Sequence, residues 1–174
     1  MIKIIEIQES DIPNFLEIGI ENAPCVLFAY HKGDYALICE DKEYNIDDLK
    51  RNNISSTNIN GKGGTIICTN GDVDFAFVGS EDYCWERLGE LSKFISHLLT
   101  DGKLLNNDFI YGNNKYGSYT TIKKGDMFCI ASHISNNINK KLIDEICFKN
   151  CYKIPEKLPE PITKEQIYQI FKGV

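Results

Sequence analysis

Residues 61–78, GKGGTIICTNGDVDFAFV, constrain this chain more tightly than any other stretch. A turn rich in glycine (Gly61, Gly63, Gly64) runs into the β-prone Thr65-Ile66-Ile67-Cys68. The turn Asn70-Gly71-Asp72 follows, and then Val73–Val78. Asn-Gly between two β-prone runs is the strongest short-range hairpin signal a sequence offers, so a hairpin is predicted here. Val73, Phe75 and Phe77 alternate with Asp74 and Ala76, the period of a half-buried strand. The glycines before the first strand admit positive φ and close backbone approach. They form either an ordinary turn or a cradle of bare amides for a phosphate or carboxylate.

A chain of 174 residues is long enough for one domain with a real core, and 1–174 is expected to form a single domain. The net charge of −6 argues against nucleic acid as a partner, because phosphate contacts need clustered Lys and Arg. Arginine, the usual bidentate partner of carboxylates and phosphates, occurs only at positions 51 and 87. No run approaches the roughly 18 apolar residues of a membrane span, and the N-terminus lacks the apolar core of a signal peptide. The seven cysteines (25, 39, 68, 84, 129, 147, 151) form no CxxC pair. Their odd number and the missing export signal suggest reduced thiols in the cytoplasm. No metal site is predicted: Cys147 and Cys151 have helical spacing and no second ligand pair nearby.

In chain order, Met1–Glu6 alternates like an edge strand, and Asp11 before Ile12-Pro13 starts a short helix limited by Gly19 and Pro24. Residues 25–30 and 35–39 read as partner strands joined by the turn His31–Asp34. Asn45 caps a short helix over 46–52. Tyr83–Thr100 is the clearest helix, with Leu88, Leu91, Ile95, Leu98 and Leu99 on one stripe and Glu86, Arg87, Glu90 and Lys93 off it. His97 reads as a solvated or packed helix residue. Strands are predicted at 109–111, 116–122 and 127–134, with His133, between Ser132 and Ser135, a hydrogen-bonded structural residue. A second amphipathic helix is predicted over 139–148. Thr163 and Gln166 have the spacing of a capping box for a last helix over 164–172.

Two segments in register resemble the biotin/lipoate protein ligase family. Lys62-Gly63-Gly64-Thr65 and Gly71–Phe77 fall on the family's glycine turn and following strand. Asn107-Asp108-Phe109-Ile110 and Gly112–Ser118 fall on its second motif, which carries a lysine, here Lys115. The resemblance covers roughly residues 20–170. It implies an α+β fold, a mainly antiparallel or mixed sheet flanked by helices, like the core shared by biotin ligases and class II aminoacyl-tRNA synthetases. It also implies ATP and Mg²⁺ as co-reactants, a lipoate, octanoate or biotin substrate, and a lysine on an acyl-carrier or lipoyl domain as acceptor. By the same resemblance Lys115 neutralises charge in the acyl-adenylate, while Gly61, Gly63, Gly64, Thr65, Asp72, Phe75, Asn107, Asp108 and Gly117 line the substrate. Ending at Val174, the chain is expected to lack the accessory domain that follows many lipoate ligases.

The sequence departs from the family in three places. Glu40-Asp41-Lys42 and Asn58-Ile59-Asn60 stand where arginines are common, and Cys68 is near the place of a family histidine. Three readings follow. One is an ATP-dependent ligase. Another is an ATP-independent acyltransferase with Cys151 as nucleophile beside Lys115, Cys147 being the alternative. The third is an inactive member that keeps a small-molecule pocket.

Overall fold

A computed structural model describes residues 2–38, 46–58, 66–99, 103–105, 107–111, 114–138, 141 and 156–172. The Gly-rich turn with Gly61, Gly63, Gly64 and Thr65, the predicted helix over 139–148 apart from Lys141, and Cys151 lie outside these residues.

The architecture is mixed α+β. The strands are β1 (Lys3–Glu6), β2 (Cys25–Tyr30), β3 (Tyr35–Ile38), β4 (Ser55–Asn58), β5 (Ile66–Cys68), β6 (Val73–Gly79), β7 (Lys103–Leu105), β8 (Asp108–Tyr111), β9 (Asn114–Lys124) and β10 (Met127–Ile134). A 3₁₀ turn over Glu9–Asn14 leads into α1 (Phe15–Asn22); α2 is Ile46–Arg51, α3 Glu81–Leu99 and α4 Lys164–Lys172. Seven strands form one sheet in the order β1-β2-β6-β10-β9-β8-β7, and β4-β3-β5 form a second, smaller sheet.

The predicted pairings of 25–30 with 35–39 and of 65–68 with 73–78 are absent. β2 and β6 are antiparallel neighbours in the large sheet, whereas β3 and β5 pair with each other in the small one. The turns 31–34 and 69–72 therefore carry the chain from one sheet to the other. Gly71 does take positive φ, at +93°. The local Asn-Gly signal was sound, but the buried surface on both faces of β6 decided which partner that strand took. Its neighbours β2 and β10 contribute long apolar strands, while three-residue β5 has little to offer.

Three layers of side chains hold the fold. On one face of the large sheet Val26, Phe28, Val73, Phe75, Phe77, Ile130 and Ile134 pack against Leu88, Leu91 and Ile95 of α3 and Ile167 and Phe171 of α4. Each fully buried large side chain in this layer stabilises the fold by about 1.5–3 kcal/mol. On the opposite face Cys25, Leu27, Ala76, Val78 and Cys129 meet α1 and, from the small sheet, Tyr35, Leu37 and Cys68. The far side of the small sheet (Ala36, Ile38, Ile67) is covered by Leu49 of α2 and by Ile54. The predicted capping box forms: Thr163 N–H donates to Gln166 Oε1 (2.8 Å) and Gln166 N–H to Thr163 Oγ1 (3.3 Å).

Leu88, Leu91, Ile95 and Leu99 of the α3 stripe are buried and Leu98 partly so, but Arg87 is not on its wet side. Its side chain is buried between Glu86 (2.6 Å) and Glu90 (2.9 Å), with the guanidinium over the Tyr83 ring. No described helix is long and apolar enough to cross a membrane.

Candidate functional site

The two sheet-switching turns meet at one corner between the sheets. His31 N–H donates to the Asp72 carbonyl (2.9 Å), and Gly71 N–H donates to the His31 carbonyl (2.8 Å), so the backbones lock together just beyond the β2–β6 ladder. Asp72 is buried and fastens the corner. Its carboxylate accepts the Thr69 N–H (2.8 Å) and the Asn137 N–H (2.8 Å). Burial pushes its pKa up, against the pull of His133 and these two amides.

Around this corner stand His31 (after β2), Cys68 (end of β5), Asp74 (β6) and His133 (β10). One ligand atom from each lies within 4.8 Å of all the others. Asp74 sits at the centre. His31 Nε2–H donates to Asp74 Oδ2 (2.7 Å) and His133 Nδ1–H to Asp74 Oδ1 (2.7 Å). The far nitrogen of each ring also faces an acid: His31 Nδ1 is 3.1 Å from Glu9 Oε1, and His133 Nε2 is 3.6 Å from Asp72 Oδ2. Burial alone would lower the pKa of His31, but the Asp74 and Glu9 carboxylates outweigh it and push the value up to about 9. Burial alone would raise that of Asp74, but the two imidazoles hold it well below the usual carboxylate range.

Cys68 Sγ lies 3.6 Å from His133 Nδ1. That nitrogen already donates to Asp74, whereas a nucleophile–base–acid relay needs the thiol and the carboxylate on opposite nitrogens. Burial, with Asp74, Asp72 and Glu9 adding their negative field, pushes the Cys68 thiol well above its ordinary pKa. A thiol held in its protonated form is a poor nucleophile.

The residues singled out in the sequence fall into separate groups. Asp72 belongs to the corner. Phe75, on the opposite face of β6 from Asp74, packs against Phe77 and Phe171 in the helix-side core. Asp108 pairs across the ladders with Ser118, and Ser118 with His133, which pairs with Asp74. Directly opposed residues share a sheet face, so Asp108 lies on the face that carries the histidine cluster. Lys115 Nζ reaches Asp108 Oδ1 at 2.7 Å, which brings the ammonium towards the same face. Asn107 takes left-handed backbone (φ 68°), a conformation in which Asn is enriched, and its carbonyl accepts the Tyr119 N–H at 2.9 Å. Gly117 is buried against β10: an added Cβ would stand 2.2 Å from the His133 carbonyl oxygen.

Sequence reading missed His31 and Asp74 and gave His133 a structural role only. The available signal was a lone acid, Asp74, inside an otherwise apolar strand. The four donors are two imidazoles, a thiol and a carboxylate, whereas Mg²⁺ prefers an octahedron of oxygens. The magnesium implied by the resemblance does not fit this cluster.

No family profile matches the chain, and no curated protein does. Solved structures do match. P. falciparum LipL1 in complex with lipoate superposes with a TM-score of 0.77 at 12% identity, covering 97% of this chain and 57% of that one. Lipoate-protein ligase A bound with ATP gives 0.73 at 14% identity, covering 98% and 82%. Biotin acetyl coenzyme A carboxylase synthetase from Helicobacter pylori, with bound biotinylated ATP, gives 0.57 at 14% identity, covering 99% and 72%. The chain thus spans a little over half the length of LipL1. Its fold is that of the lipoate and biotin protein ligase catalytic domains, at 12–14% sequence identity.

Proposed function

We propose that this chain is a lipoate- or biotin-ligase-like protein that binds a small carboxylic acid beside Lys115 and activates it with ATP for transfer to a lysine of a carrier domain. The observation that carries the reading is the fold match over 97–98% of the chain to LipL1 with lipoate and to lipoate-protein ligase A with ATP. In the reaction a carboxylate oxygen of the acid attacks the α-phosphorus of ATP and pyrophosphate leaves. The carrier amine then attacks the acyl carbon and AMP leaves. Lys115 supplies a positive charge where the carboxylate and phosphate meet, and Asp108 holds its ammonium in place at 2.7 Å.

A second reading, acid binding without adenylation, is favoured by the placing of the two arginines. Arg87 is tied to Glu86 and Glu90 on the helix side of the large sheet, and Arg51 Nε donates to the Asp47 carbonyl on α2. Neither stands on the face shared by Asp108 and His133. The experiment is pyrophosphate release with ATP and Mg²⁺ on lipoate, octanoate and biotin in turn, for wild type and Lys115→Ala. Release with one acid, lost in the variant, supports the ligase. No release, with acid binding retained in calorimetry, supports the second reading. Acyl transfer to Cys151 from a carrier donor, read by intact mass, would replace both.

A further inference from the structure

We propose that His31, Cys68, Asp74 and His133 form a zinc site that clamps the small sheet to the large one. One ligand atom from each residue lies within 4.8 Å of all the others; the nitrogens turned to the Asp74 carboxylate are His31 Nε2 and His133 Nδ1, and Cys68 Sγ stands beside the latter. Tetrahedral zinc with bonds of about 2.0–2.3 Å places its donors roughly 3.3–3.8 Å apart. Cys68 Sγ and His133 Nδ1, at 3.6 Å, already have that separation. The two histidine nitrogens, at 2.7 Å from the Asp74 oxygens, need only draw back by about 0.5–1 Å as the ion replaces their shared protons.

The surroundings match those of a metal site as well as the donors do. A ligating histidine characteristically donates its other N–H to a carboxylate or carbonyl, which fixes the ring and its tautomer. Here both histidines turn one nitrogen to the centre. His31 turns the other to Glu9 at 3.1 Å, and His133 turns its other to Asp72 at 3.6 Å and to Ser135 Oγ at 3.5 Å. The ion takes the place of the hydrogens on His31 Nε2, His133 Nδ1 and Cys68 Sγ while each ring keeps one hydrogen on its far nitrogen, and Asp74 and Cys68 remain as two anions that offset the charge of the ion. Four protein donors close a tetrahedron, and three of the four residues are buried, so the site is structural rather than catalytic. Cys68 comes from the small sheet and the other three donors from strands, or the end of a strand, of the large one. The ion therefore bridges the layers at the corner where the chain changes sheet twice.

The site stands independently of the ligase reading. The test is metal analysis of the whole chain, stripped with chelator, reloaded with zinc chloride and desalted. About one equivalent of zinc should be retained by wild type, by Lys115→Ala and by Cys129→Ser, a buried thiol outside the cluster. Cys68→Ser and His133→Ala should lose most of it, and Glu9→Gln should bind about 10–100-fold more weakly. Cobalt(II) on wild type should give intense tetrahedral visible bands and a thiolate charge-transfer band that vanishes in Cys68→Ser, a readout that does not require His133→Ala to fold. Retention below about a tenth of an equivalent by wild type would overturn the proposal. So would equal zinc in Cys68→Ser and Cys129→Ser, or a cobalt spectrum without the thiolate band.

Discussion

Gly117→Ala should destabilise the protein by about 2–4 kcal/mol through a single added methyl. The Cβ would stand 2.2 Å from the His133 carbonyl oxygen, 3.2 Å from its carbonyl carbon and 2.9 Å from Ile134 Cδ1. Ile134 can change rotamer, but the carbonyl belongs to the backbone of β10 and cannot turn aside. Relaxing that contact to an ordinary carbon–oxygen separation of about 3.3 Å forces β9 and β10 apart by roughly 1 Å. The pairs Gly117↔Ile134 and Ser118↔His133 lie at that point of the ladder. Weakening about two backbone hydrogen bonds at 0.5–1.5 kcal/mol each, with about 1 kcal/mol or more of packing strain, gives the stated range. For a chain of this size the midpoint of thermal unfolding should fall by about 5–15 °C. Calorimetry or circular dichroism reads it directly. Gly89→Ala is the control: it lies inside α3 with nothing within 4 Å of the added Cβ, and should gain about 0.5–1 kcal/mol. A Gly117→Ala midpoint within about 1 °C of wild type would refute the argument from close approach.

Three further outcomes are expected. Lys115→Ala should abolish acid-dependent pyrophosphate release while moving the unfolding midpoint by no more than a few degrees, because it removes a part-exposed ion pair worth about 1 kcal/mol or less. Arg87→Ala should cost about 3–5 kcal/mol in urea unfolding, since it strands the half-buried Glu90 beside an emptied site; pairing Arg87→Met with Glu90→Gln should recover most of the loss. Thr163→Ala should cost about 0.5–2 kcal/mol, with fraying of α4 visible as faster amide exchange at Gln166 and Ile167, because it removes one half of the capping box. An unchanged exchange rate there would refute the capping role.

Local periodicity made several elements legible. The α3 stripe put Leu88, Leu91, Ile95, Leu98 and Leu99 inside; four are buried and Leu98 is partly buried. The capping box and the β9–β10 hairpin were equally readable, because their signals lie within a few residues of each other. Strand pairing was not. The runs 25–30 and 66–68 looked like halves of tight hairpins, yet each pairs with a strand the local sequence does not indicate, since pairing is decided by which faces must be covered. Arg87 was misplaced for a similar reason. Its guanidinium carries its own partners into the packed layer, so charge alone did not put it outside. β4 went unread because Ser55-Ser56-Thr57-Asn58 has no apolar alternation; it is held by parallel pairing with β3 and by the contact between Tyr35 and Thr57 hydroxyls.

The histidine cluster was the least legible feature, and the error over the hairpins explains why. Had the turns 31–34 and 69–72 closed hairpins, His31 and Cys68 would each have stood at the tip of a two-stranded ribbon, turned to solvent. Because both turns cross between sheets, they are drawn to the same corner. There the backbone bonds of His31 with Gly71 and Asp72 bring the end of β2 alongside the start of β6, and β10 closes the other side. The four donors come from positions 31, 68, 74 and 133, too far apart for any spacing rule to associate them. It follows that the cluster depends on sheet switching, and that a zinc ion held there would stabilise the switched arrangement against the hairpin pairing that the local sequence prefers. Metal-free protein should therefore exchange the amides of β3 and β5 faster than zinc-loaded protein, with those of α3 unchanged. Equal rates in β3 and β5 with and without zinc would separate the cluster from the docking of the small sheet.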